Sequence, residues 1–396
     1  MGALDGIKVI DLTRILGGPF CTQWLGDHGA EVIKIEPPQG DDVRKWGPPF
    51  DEEIGAASYF LGVNRNKRGM ALDLRMEEGR EVLLRMLGEA DVLIENFKAG
   101  SMEKWGIGYK TLKERFPRLI HVSITGFGPD GPMGGLPGYD AVIQAQAGLM
   151  SVNGVPGGGP TRIGISIVDI CTGMSAAFGV AMALHDRNKT DLGQHIDTAL
   201  YDSAISILYP HYANYLLSGK IPKIFGNQHP NLAPYDTYPT KTCSIYVAGG
   251  NDGQFARICE VLGVPEAAED PKFKTNADRI QHQPELRALF APLMAEWEGE
   301  ALALALMKAG APAGPVLNTA EVMDAPQTAA RDMLIEIDGF QSVGNPIKMS
   351  RTPPNPRRRK PPRFGQETRT ILEEHGYDAE EIEALIAKGA ALTGKR

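Results

Sequence analysis

The sequence has few cysteines and lacks the patterns that bind metals or form redox pairs. Four cysteines occur in 396 residues, none in a C-x-x-C pair and none with a histidine at metal-ligand spacing. The eight histidines contain no H-E-x-x-H motif. We therefore expect no bound metal ion. Scattered thiols in a chain of this length are typical of a reducing compartment, which predicts a cytoplasmic protein.

A basic excess is also missing. The chain has 41 Lys and Arg against 49 Asp and Glu, for a net charge of −8. Nucleic-acid binders usually carry a basic excess, so we expect no nucleic-acid partner. The first twelve residues, MGALDGIKVIDL, lack the basic region and the long apolar core of a secretion signal.

Simple catalytic signatures are absent too. The sequence has no G-x-S-x-G elbow, no Walker A lysine and no G-x-G-x-x-G between a strand and a helix. Glycine and proline are nevertheless concentrated at 126–138 (GFGPDGPMGGLPG) and 154–160 (GVPGGGP). These are either long surface loops or loops whose backbone approaches a ligand, and the sequence leaves both interpretations open.

Long hydrophobic runs are limited to residues 163–184, where the one charged residue is Asp169. The run is long enough to span a bilayer. However, a carboxylate near its middle would be costly in lipid, and small and polar residues interrupt it. We predict that it leads into a buried core helix, and we expect no membrane partner.

The first part of the chain alternates between strand-like and helix-like segments. Helix-like segments near 18–29 and 77–89 separate short apolar runs, a pattern that predicts βαβ units, a mainly parallel sheet and an α/β fold. The predicted strands are 7–12, 31–36, 71–74, 91–96 and 119–125. Ligands of such sheets bind beyond the carboxyl ends of the strands. The first site candidates are therefore residues 13–14, 36–37, 74–75, 96–97 and 125–126.

The remaining chain is organised differently. Residues 170–187 and 197–217 are predicted to be helices, and the loop-rich segment 221–240 introduces a smaller, separate domain. Residues 353–365 (PNPRRRKPPRFGQ) are typical of a solvated basic linker.

Asp169 is the most informative single residue, because an ionised carboxylate does not sit among apolar residues without partners. In one interpretation it is the N-cap of the helix that follows, since Asp is a favoured cap. In the other it is a nucleophile or base that a helix N-terminus keeps ionised.

Ordered motifs along the whole chain are similar to one known family. They are L-x-G-I-x-V-I-D-L-T-R at 4–14, G-P-F-C-T-Q-x-L-G-D-x-G-A-E-V-I-K-I-E at 18–36, N-x-N-K-R at 64–68, E-N-F at 95–97, S-I-T-G-F-G at 123–128, G-Y-D-A at 138–141, G-N-Q-H-P at 226–230 and the C-terminal F-G-Q-E-T. The chain strongly resembles the class III coenzyme A transferases, the family of formyl-CoA and carnitine CoA transferases.

The resemblance implies a Rossmann-like large domain formed by both chain ends, a smaller central α/β domain and an interlocked homodimer. The implied boundaries are 1–200 with 330–396 for the large domain, 201–224 for a linker helix and 225–329 for the small domain.

The resemblance also implies that Asp169 is the catalytic nucleophile, which carries coenzyme A as an aspartyl-CoA thioester between an acyl-CoA donor and a carboxylic acid acceptor. Coenzyme A is then a substrate, and no metal takes part. The implied coenzyme A contacts are Arg14, Ile15, Leu72, Arg75, Asn96, Phe97, Lys104 and Tyr139. Core packing is the alternative role for Leu72 and Phe97.

Two positions depart from formyl-CoA transferase: Pro37 replaces an arginine near the coenzyme A phosphates, and Leu16 replaces a glutamine near the reacting centre. The overall pattern is closest to members that use succinyl-CoA and dicarboxylic acceptors. Arg162 then suits the distal carboxylate of the acceptor. The implied substrate contacts are Leu16, Gly226, Asn227, His229 and Arg162.

Two other functions remain open at this point. The α-methylacyl-CoA racemases of the same family use a histidine where this chain has Tyr139, and tyrosine, with an ordinary pKa of ~10, is a poor general base at neutral pH. A non-catalytic acyl-CoA-binding protein would have no need of Asp169.

Overall fold

The fold is that of a computed structural model, in which residues 2–394 are described. The chain divides into two compact units. The larger unit comprises the chain up to Leu149, Ile163–Ala213 and the chain from Pro326 onward, and the smaller unit comprises Met150–Arg162 and Asn214–Ala325. The domain boundaries given above stay a prediction.

The strands in chain order are β1 (Lys8–Asp11), β2 (Glu31–Glu36), β3 (Phe50–Asp51), β4 (Ala56–Ala57), β5 (Lys67–Leu72), β6 (Val92–Glu95), β7 (Ile120–Thr125), β8 (His195–Ala199), β9 (Tyr235–Pro239), β10 (Ser244–Ala248), β11 (Ala313–Pro315), β12 (Leu334–Ile337), β13 (Phe340–Val343) and β14 (Ala391–Leu392). The helices in chain order are α1 (Gly17–Asp27), α2 (Ser58–Leu61), α3 (Glu77–Leu87), α4 (Ser101–Lys104), α5 (Tyr109–Arg115), α6 (Asp140–Gln146), α7 (Leu149–Val152), α8 (Ile167–Thr190), α9 (Leu200–Ser206), α10 (His211–Ser218), α11 (Asp252–Val261), α12 (Asn276–Gln281), α13 (Gln283–Ala295), α14 (Gly299–Lys308), α15 (Thr319–Asp324), α16 (Pro326–Ala330), α17 (Thr368–Glu374) and α18 (Ala379–Lys388). Short 3₁₀ helices cover Asp42–Lys45 and Pro265–Ala268.

The larger unit is built on a seven-stranded sheet in the order β14-β5-β2-β1-β6-β7-β8. All neighbouring strands are parallel except β14, which runs antiparallel to β5. The predicted α/β fold with a mainly parallel sheet is confirmed. From β1 the chain moves outward to β2 and β5 and then returns to β6 on the other side. The ligand crevice of such a sheet forms where the order reverses, at the carboxyl ends of β1 and β6.

The strands are apolar on both faces, because helices cover both faces of the sheet. On β1, Val9 belongs to a core that includes residues of α1 and α8, and Ile10 belongs to a core that includes residues of α3, α17 and α18. Val32 and Ile33 of β2 divide in the same way, as the two-residue period of a strand requires.

The apolar run around Asp169 forms α8. By length and composition this helix could cross a membrane, and 44% of its most apolar window is buried inside the protein. Val168, Ala176, Val180 and Ala183 belong to the core beneath the sheet. A core helix passes the same length and composition test, so the test alone does not point to a membrane.

The predicted helix over 197–217 is wrong in part. Its first residues belong to β8, which pairs with β7 at the sheet edge with Ile196 opposite Val122. The rest forms two helices, α9 and α10, with Pro210 between them. Proline cannot donate the hydrogen bond that a continuous helix needs.

The basic segment near the C-terminus is not a free linker, although Arg357, Arg358 and Arg359 are exposed to solvent as predicted. Arg358 donates to the carbonyl oxygen of Gly26 at 3.1 Å, and the Arg359 N–H donates to Oδ1 of Asn66 at 2.9 Å. Arg357 pairs with Asp332. The segment therefore packs on the larger unit, and its cations neutralise or hydrogen-bond groups of the same chain.

The smaller unit contains an antiparallel sheet in the order β11-β10-β9. Its core joins Ile245 and Val247 of β10 to Phe255 of α11, Phe290 of α13 and Leu302 of α14.

Candidate active site

A cavity of about 270 Å³ opens at the carboxyl ends of the central strands, in the larger unit. Its walls come from the segments that follow β1, β6 and β7, together with Asp169 at the start of α8. The residues that line it include Arg14, Gly17, Asp42, Lys98, Tyr139 and Asp169.

A second cavity, also of about 270 Å³, lies at the carboxyl ends of β2 and β5. It shares Arg14, Phe97 and Lys98 with the first cavity. The two cavities therefore adjoin one another along the same sheet edge. Each of the five strand ends proposed from topology contributes at least one residue to one of them.

The segment after β1 contains an unusual backbone conformation at Ile15, whose φ angle is 72°. A β-branched residue in this left-handed region is a strained outlier that surrounding contacts must hold in place. The side-chain amide of Asn96 donates to the Arg14 carbonyl at 2.7 Å and accepts from the Arg14 N–H at 2.9 Å. The Ile15 N–H donates to Asp41 at 3.2 Å.

Buried charges lie beneath this segment. The Lys34 ammonium, which is fully buried, donates to the Thr13 carbonyl at 2.8 Å and to Asp41 at 3.1 Å. Lys67 pairs with Asp11 at 3.1 Å. Burial alone would raise the pKa of Asp11, but Lys67 and Lys34 lower it to about 2. Removing one partner of such a buried pair is strongly destabilising, so these charges fix the backbone that lines the cavity.

Asp169 is the third residue of α8 and not its N-cap, which is Ser166. The structural interpretation of Asp169 as a cap is therefore wrong. The side chain of Ser166 makes no capping bond. Instead, Oδ2 of Asp140 in α6 accepts from the Val168 and Asp169 N–H groups, at 2.8 and 3.2 Å.

The Asp169 carboxylate is in a setting that makes it unusually basic. Burial, and secondarily the negative charge of Asp140, raise the pKa of Asp169 to about 7. A methyl group added to Gly17 would lie 3.1 Å from the Asp169 carbonyl oxygen and 3.5 Å from Oδ1. Glycine therefore allows the first turn of α1 to approach Asp169 closely.

The residues assigned to coenzyme A from the resemblance divide between the two cavities. Lys104 lies at the end of α4 and lines neither cavity, although Ser101 and Trp105 beside it line the second. Arg75 lines the second cavity and pairs with Asp73 at 2.6 Å. The first cavity is lined by Arg14, Ile15, Asn96, Phe97 and Tyr139, and also by Leu16, whereas the second is lined by Arg14, Leu72, Arg75 and Phe97.

The other residues assigned to the substrate belong to the smaller unit, namely Arg162, Gly226, Asn227 and His229. The loop at 226–229 is anchored there. The Tyr246 hydroxyl donates to the Asn227 carbonyl at 2.6 Å, and Nδ1 of His229 accepts from the Asn231 N–H at 3.0 Å. Burial lowers the pKa of His229.

The two glycine-rich loops belong to different units of the chain. Residues Gly126 and Gly135–Gly138 of the first loop line the first cavity, so its backbone does approach a candidate ligand site. Pro156 of the second loop lies against Gly226 in the smaller unit. Within residues 2–394, no group of three His, Cys, Asp or Glu side chains is arranged to hold a metal ion.

Four residues at or beside the site were not identified from the sequence, namely Gly17, Asp42, Lys98 and Asp140. Gly17 stands in the segment before the quoted G-P-F-C motif, Lys98 follows E-N-F, and Asp140 is part of G-Y-D-A. Their place at the site depends on the folding together of segments that are distant in the chain.

Comparison with known proteins assigns this chain to one family. Residues 4–368 match CoA-transferase family III. The chain is 39% identical to a succinate–glutarate CoA-transferase of Agrobacterium fabrum, over 94% of this chain and 95% of that protein. It is 40% identical to a succinyl-CoA:mesaconate CoA-transferase of Haloarcula hispanica, over 95% of both chains.

A solved structure has the same fold. The CAIB/BAIF family protein of Brucella suis superposes with a TM-score of 0.85 and 43% identity, over 94% of this chain and 99% of that one. Family match, relatives and fold agree, and this chain is an enzyme that belongs to CoA-transferase family III.

Proposed function

We propose that this enzyme moves coenzyme A from succinyl-CoA to a dicarboxylic acid through an aspartyl-CoA thioester on Asp169. The observation that carries the proposal is the Asp169 carboxylate on the wall of the first cavity, beside Gly17 at the start of α1. The names of the two relatives, both acting with succinate or succinyl-CoA and a dicarboxylate, support these substrates.

The proposed reaction has two symmetrical halves. A carboxylate oxygen of Asp169 attacks the thioester carbonyl, the C–S bond breaks, and a mixed anhydride and the coenzyme A thiolate result. The thiolate attacks Cγ of Asp169 and expels succinate, leaving the aspartyl-CoA thioester. The acceptor carboxylate then attacks Cγ and releases the thiolate. The thiolate attacks the acceptor carbonyl of the new anhydride and frees Asp169.

Each step places negative charge on a carbonyl oxygen. The first N–H groups of a helix have no acceptor within the helix, and the helix dipole favours negative charge there. The start of α1 at Gly17 therefore suits stabilisation of these oxyanions by backbone donors. The raised pKa of Asp169 makes its ionised form more nucleophilic than an ordinary carboxylate.

The second cavity suits the nucleotide end of coenzyme A. Leu72, Leu74 and Trp105 supply apolar walls, and Arg14 and Arg75 supply cations for phosphate groups. Arg14 and Lys98 line both cavities, so they are placed where the pantetheine arm would pass from one cavity to the other.

The proposal extends to the acceptor, the assembly and the compartment. Arg162 is the proposed cation for the distal carboxylate, and His229 the proposed contact within the loop at 226–229. An interlocked homodimer would cover apolar side chains that are exposed in the single chain, including Phe178 at 66% and Leu217 at 92%. The four free cysteines agree with a cytoplasmic protein.

Intact mass spectrometry after incubation with succinyl-CoA tests the mechanism. We expect a coenzyme A-sized adduct that maps to Asp169 and is cleaved by hydroxylamine. Asp169→Ala removes it. Asp186→Ala, an exposed carboxylate near the other end of α8, is the matched control and keeps it.

The result that overturns the proposal is a lack of adduct with succinyl-, acetyl-, oxalyl- and branched acyl-CoAs alike. Exchange of the α-proton of a branched acyl-CoA without an adduct would then favour the racemase, and binding without turnover the acyl-CoA-binding protein.

A further inference from the structure

The first turn of α8, the helix that carries Asp169, is capped by a residue of another helix. Its own N-cap residue, Ser166, provides no capping bond. The carboxylate of Asp140, in α6, accepts from two N–H groups of the first turn of α8, those of Val168 and Asp169. The residue proposed to perform the chemistry is thus tied, by its own backbone N–H, to a carboxylate 29 residues earlier in the chain.

Asp140 is itself held firmly. Its Oδ1 accepts from the side-chain amide of Gln144 at 2.6 Å. Oε1 of Gln144 accepts from the Ile163 N–H at 2.9 Å, and its Nε2 also contacts the Ile165 carbonyl at 3.3 Å. Asp140 is 6% exposed and Gln144 is fully buried. The pair therefore fixes both the first turn of α8 and the segment that leads into it.

We infer that Asp140 is a positioning residue for the transfer reaction, with Gln144 as its support, because it orients the first turn of α8 and occupies N–H groups there. This inference rests on the proposed role of Asp169 as the nucleophile. Asp140 itself does not line the cavity.

The charge of Asp140 has an effect separate from its hydrogen bonds. Free N–H groups at a helix start stabilise a nearby anion, so an open α8 terminus would favour ionised Asp169. Asp140 fills two of these groups and adds a negative charge. After burial, that charge is the second cause of the raised pKa of Asp169. The other charged groups of this cavity are Arg14, Asp42 and Lys98, and Cys171 lies on α8.

Asp140→Asn separates these effects from a merely structural one. In the variant, an amide nitrogen would face the Nε2 donor of Gln144, so the hydrogen bond between residues 140 and 144 is lost while the shape of the side chain is kept. We expect kcat to fall about tenfold, as a modest displacement of the nucleophile would cause. We also expect the acidic limb of the kcat/KM profile to move down by about one pH unit, because a nearby like charge is gone.

Gln144→Leu is the second variant, and it keeps the Asp140 charge. It should lower kcat about three- to tenfold and leave the acidic limb in place. Asp186→Asn removes an exposed carboxylate of the same helix and should change neither quantity. If Asp140→Asn does not fold, an unchanged kcat in Gln144→Leu overturns the positioning role.

For a folded Asp140→Asn variant, an unmoved acidic limb overturns the electrostatic part, and an unchanged kcat overturns the positioning part. The aspartyl-CoA adduct is measured by mass in the same samples. If wild type forms the adduct on Asp169 and the variants behave like wild type, this inference fails alone. If wild type forms no adduct on Asp169, the proposed function has failed instead.

Discussion

Two helices begin beside the Asp169 carboxylate, and their first turns are built in different ways. The helix α1 begins with Gly17 and Gly18, has no acidic residue in its first turn and has no side-chain cap. The helix α8 carries Asp169 in its first turn and is capped by Asp140 from α6. One terminus is open toward the cavity, and the other is filled by a carboxylate.

The difference shows how the same helix dipole can serve two purposes. An uncapped terminus attracts negative charge, which suits the oxyanions of acyl transfer. Burial is the main cause of the raised pKa of Asp169, and the carboxylate that caps α8 raises it further with its negative charge, so Asp169 stays basic and nucleophilic. If the N-termini of α1 and α8 were both uncapped or both capped, the site could not combine an oxyanion-binding helix start with a basic Asp169.

The largest expected effect comes from crowding the open terminus. In Gly17→Ala the new methyl group lies 3.1 Å from the Asp169 carbonyl oxygen, a contact that a small shift relieves. Gly17→Val adds branches that cannot all be accommodated. We expect kcat/KM to fall about tenfold for alanine and at least about 100-fold for valine, since a displacement near 1 Å costs about that much.

Gly164→Ala is the matched control, because a methyl group there meets no atom within 4 Å. It should leave steady-state kinetics unchanged. A Gly17→Val enzyme that folds and keeps more than about a fifth of wild-type kcat/KM would contradict a role for this close approach.

A smaller effect concerns stability and the capped terminus. The folded-state pKa of Asp169, about 7, lies above its unfolded value of ~3.9. The folded protein therefore binds this proton more tightly, and its ionisation costs stability as pH rises from about 4 to about 7. Asp169→Asn lacks this loss. We expect the variant to gain about 2 kcal/mol relative to wild type across that window, a discounted figure because the side chain is half-buried.

Urea unfolding of both proteins at several pH values between 4 and 8 measures the gain. Asp186→Asn serves as the control and should show a difference from wild type that does not vary with pH. A relative stability of Asp169→Asn that stays constant, or falls, between pH 4 and pH 8 would show that Asp169 is not held as a costly anion.

Much of the larger unit follows from local sequence, because its strands are short apolar runs between helices. Four of the five predicted strands match β1, β2, β6 and β7 to within a residue at each end. The fifth, predicted over 71–74, is observed as β5, which begins four residues earlier than predicted. The short strands β3, β4, β12 and β13 were not predicted, and in the seven-stranded sheet β8 and β14 were missed. Their residues, HIDTA and AL, acquire strand structure by pairing with β7 and β5, and such distant pairing leaves no local signal.

The candidate site likewise has one part that could be predicted from the sequence and one part that could not. The carboxyl ends of parallel strands meet at one sheet edge, so topology alone pointed to the segments that line both cavities. The cap on α8 could not be found in this way. A cap is ordinarily sought next to the helix it serves, whereas Asp140 reaches α8 from a separate helix. The left-handed Ile15 was also unpredictable, since isoleucine disfavours that conformation.

The smallest expected effect concerns a negative charge on the wall of the first cavity. Asp42 lines the first cavity and faces Arg14, with 3.8 Å between Oδ2 and Nη1. The pair is partly exposed, so it contributes little to stability. The charge of Asp42 nevertheless opposes the approach of the coenzyme A phosphates and occupies Arg14.

Asp42→Asn should therefore lower the KM for acyl-CoA about two- to threefold at low ionic strength and leave kcat unchanged, because the substitution acts on binding and not on the reacting atoms. The difference should largely vanish near 0.5 M salt, where charges are screened within about 5 Å. Asp186→Asn makes the same change in net charge far from the cavity and should leave KM unaltered. A raised KM in Asp42→Asn would contradict this prediction and would mean that Asp42 holds Arg14 in its binding orientation. Binding of anions in the cavity at the uncapped start of α1 would then depend on a carboxylate in the same cavity. The contrast between the starts of α1 and α8 would be correspondingly weaker.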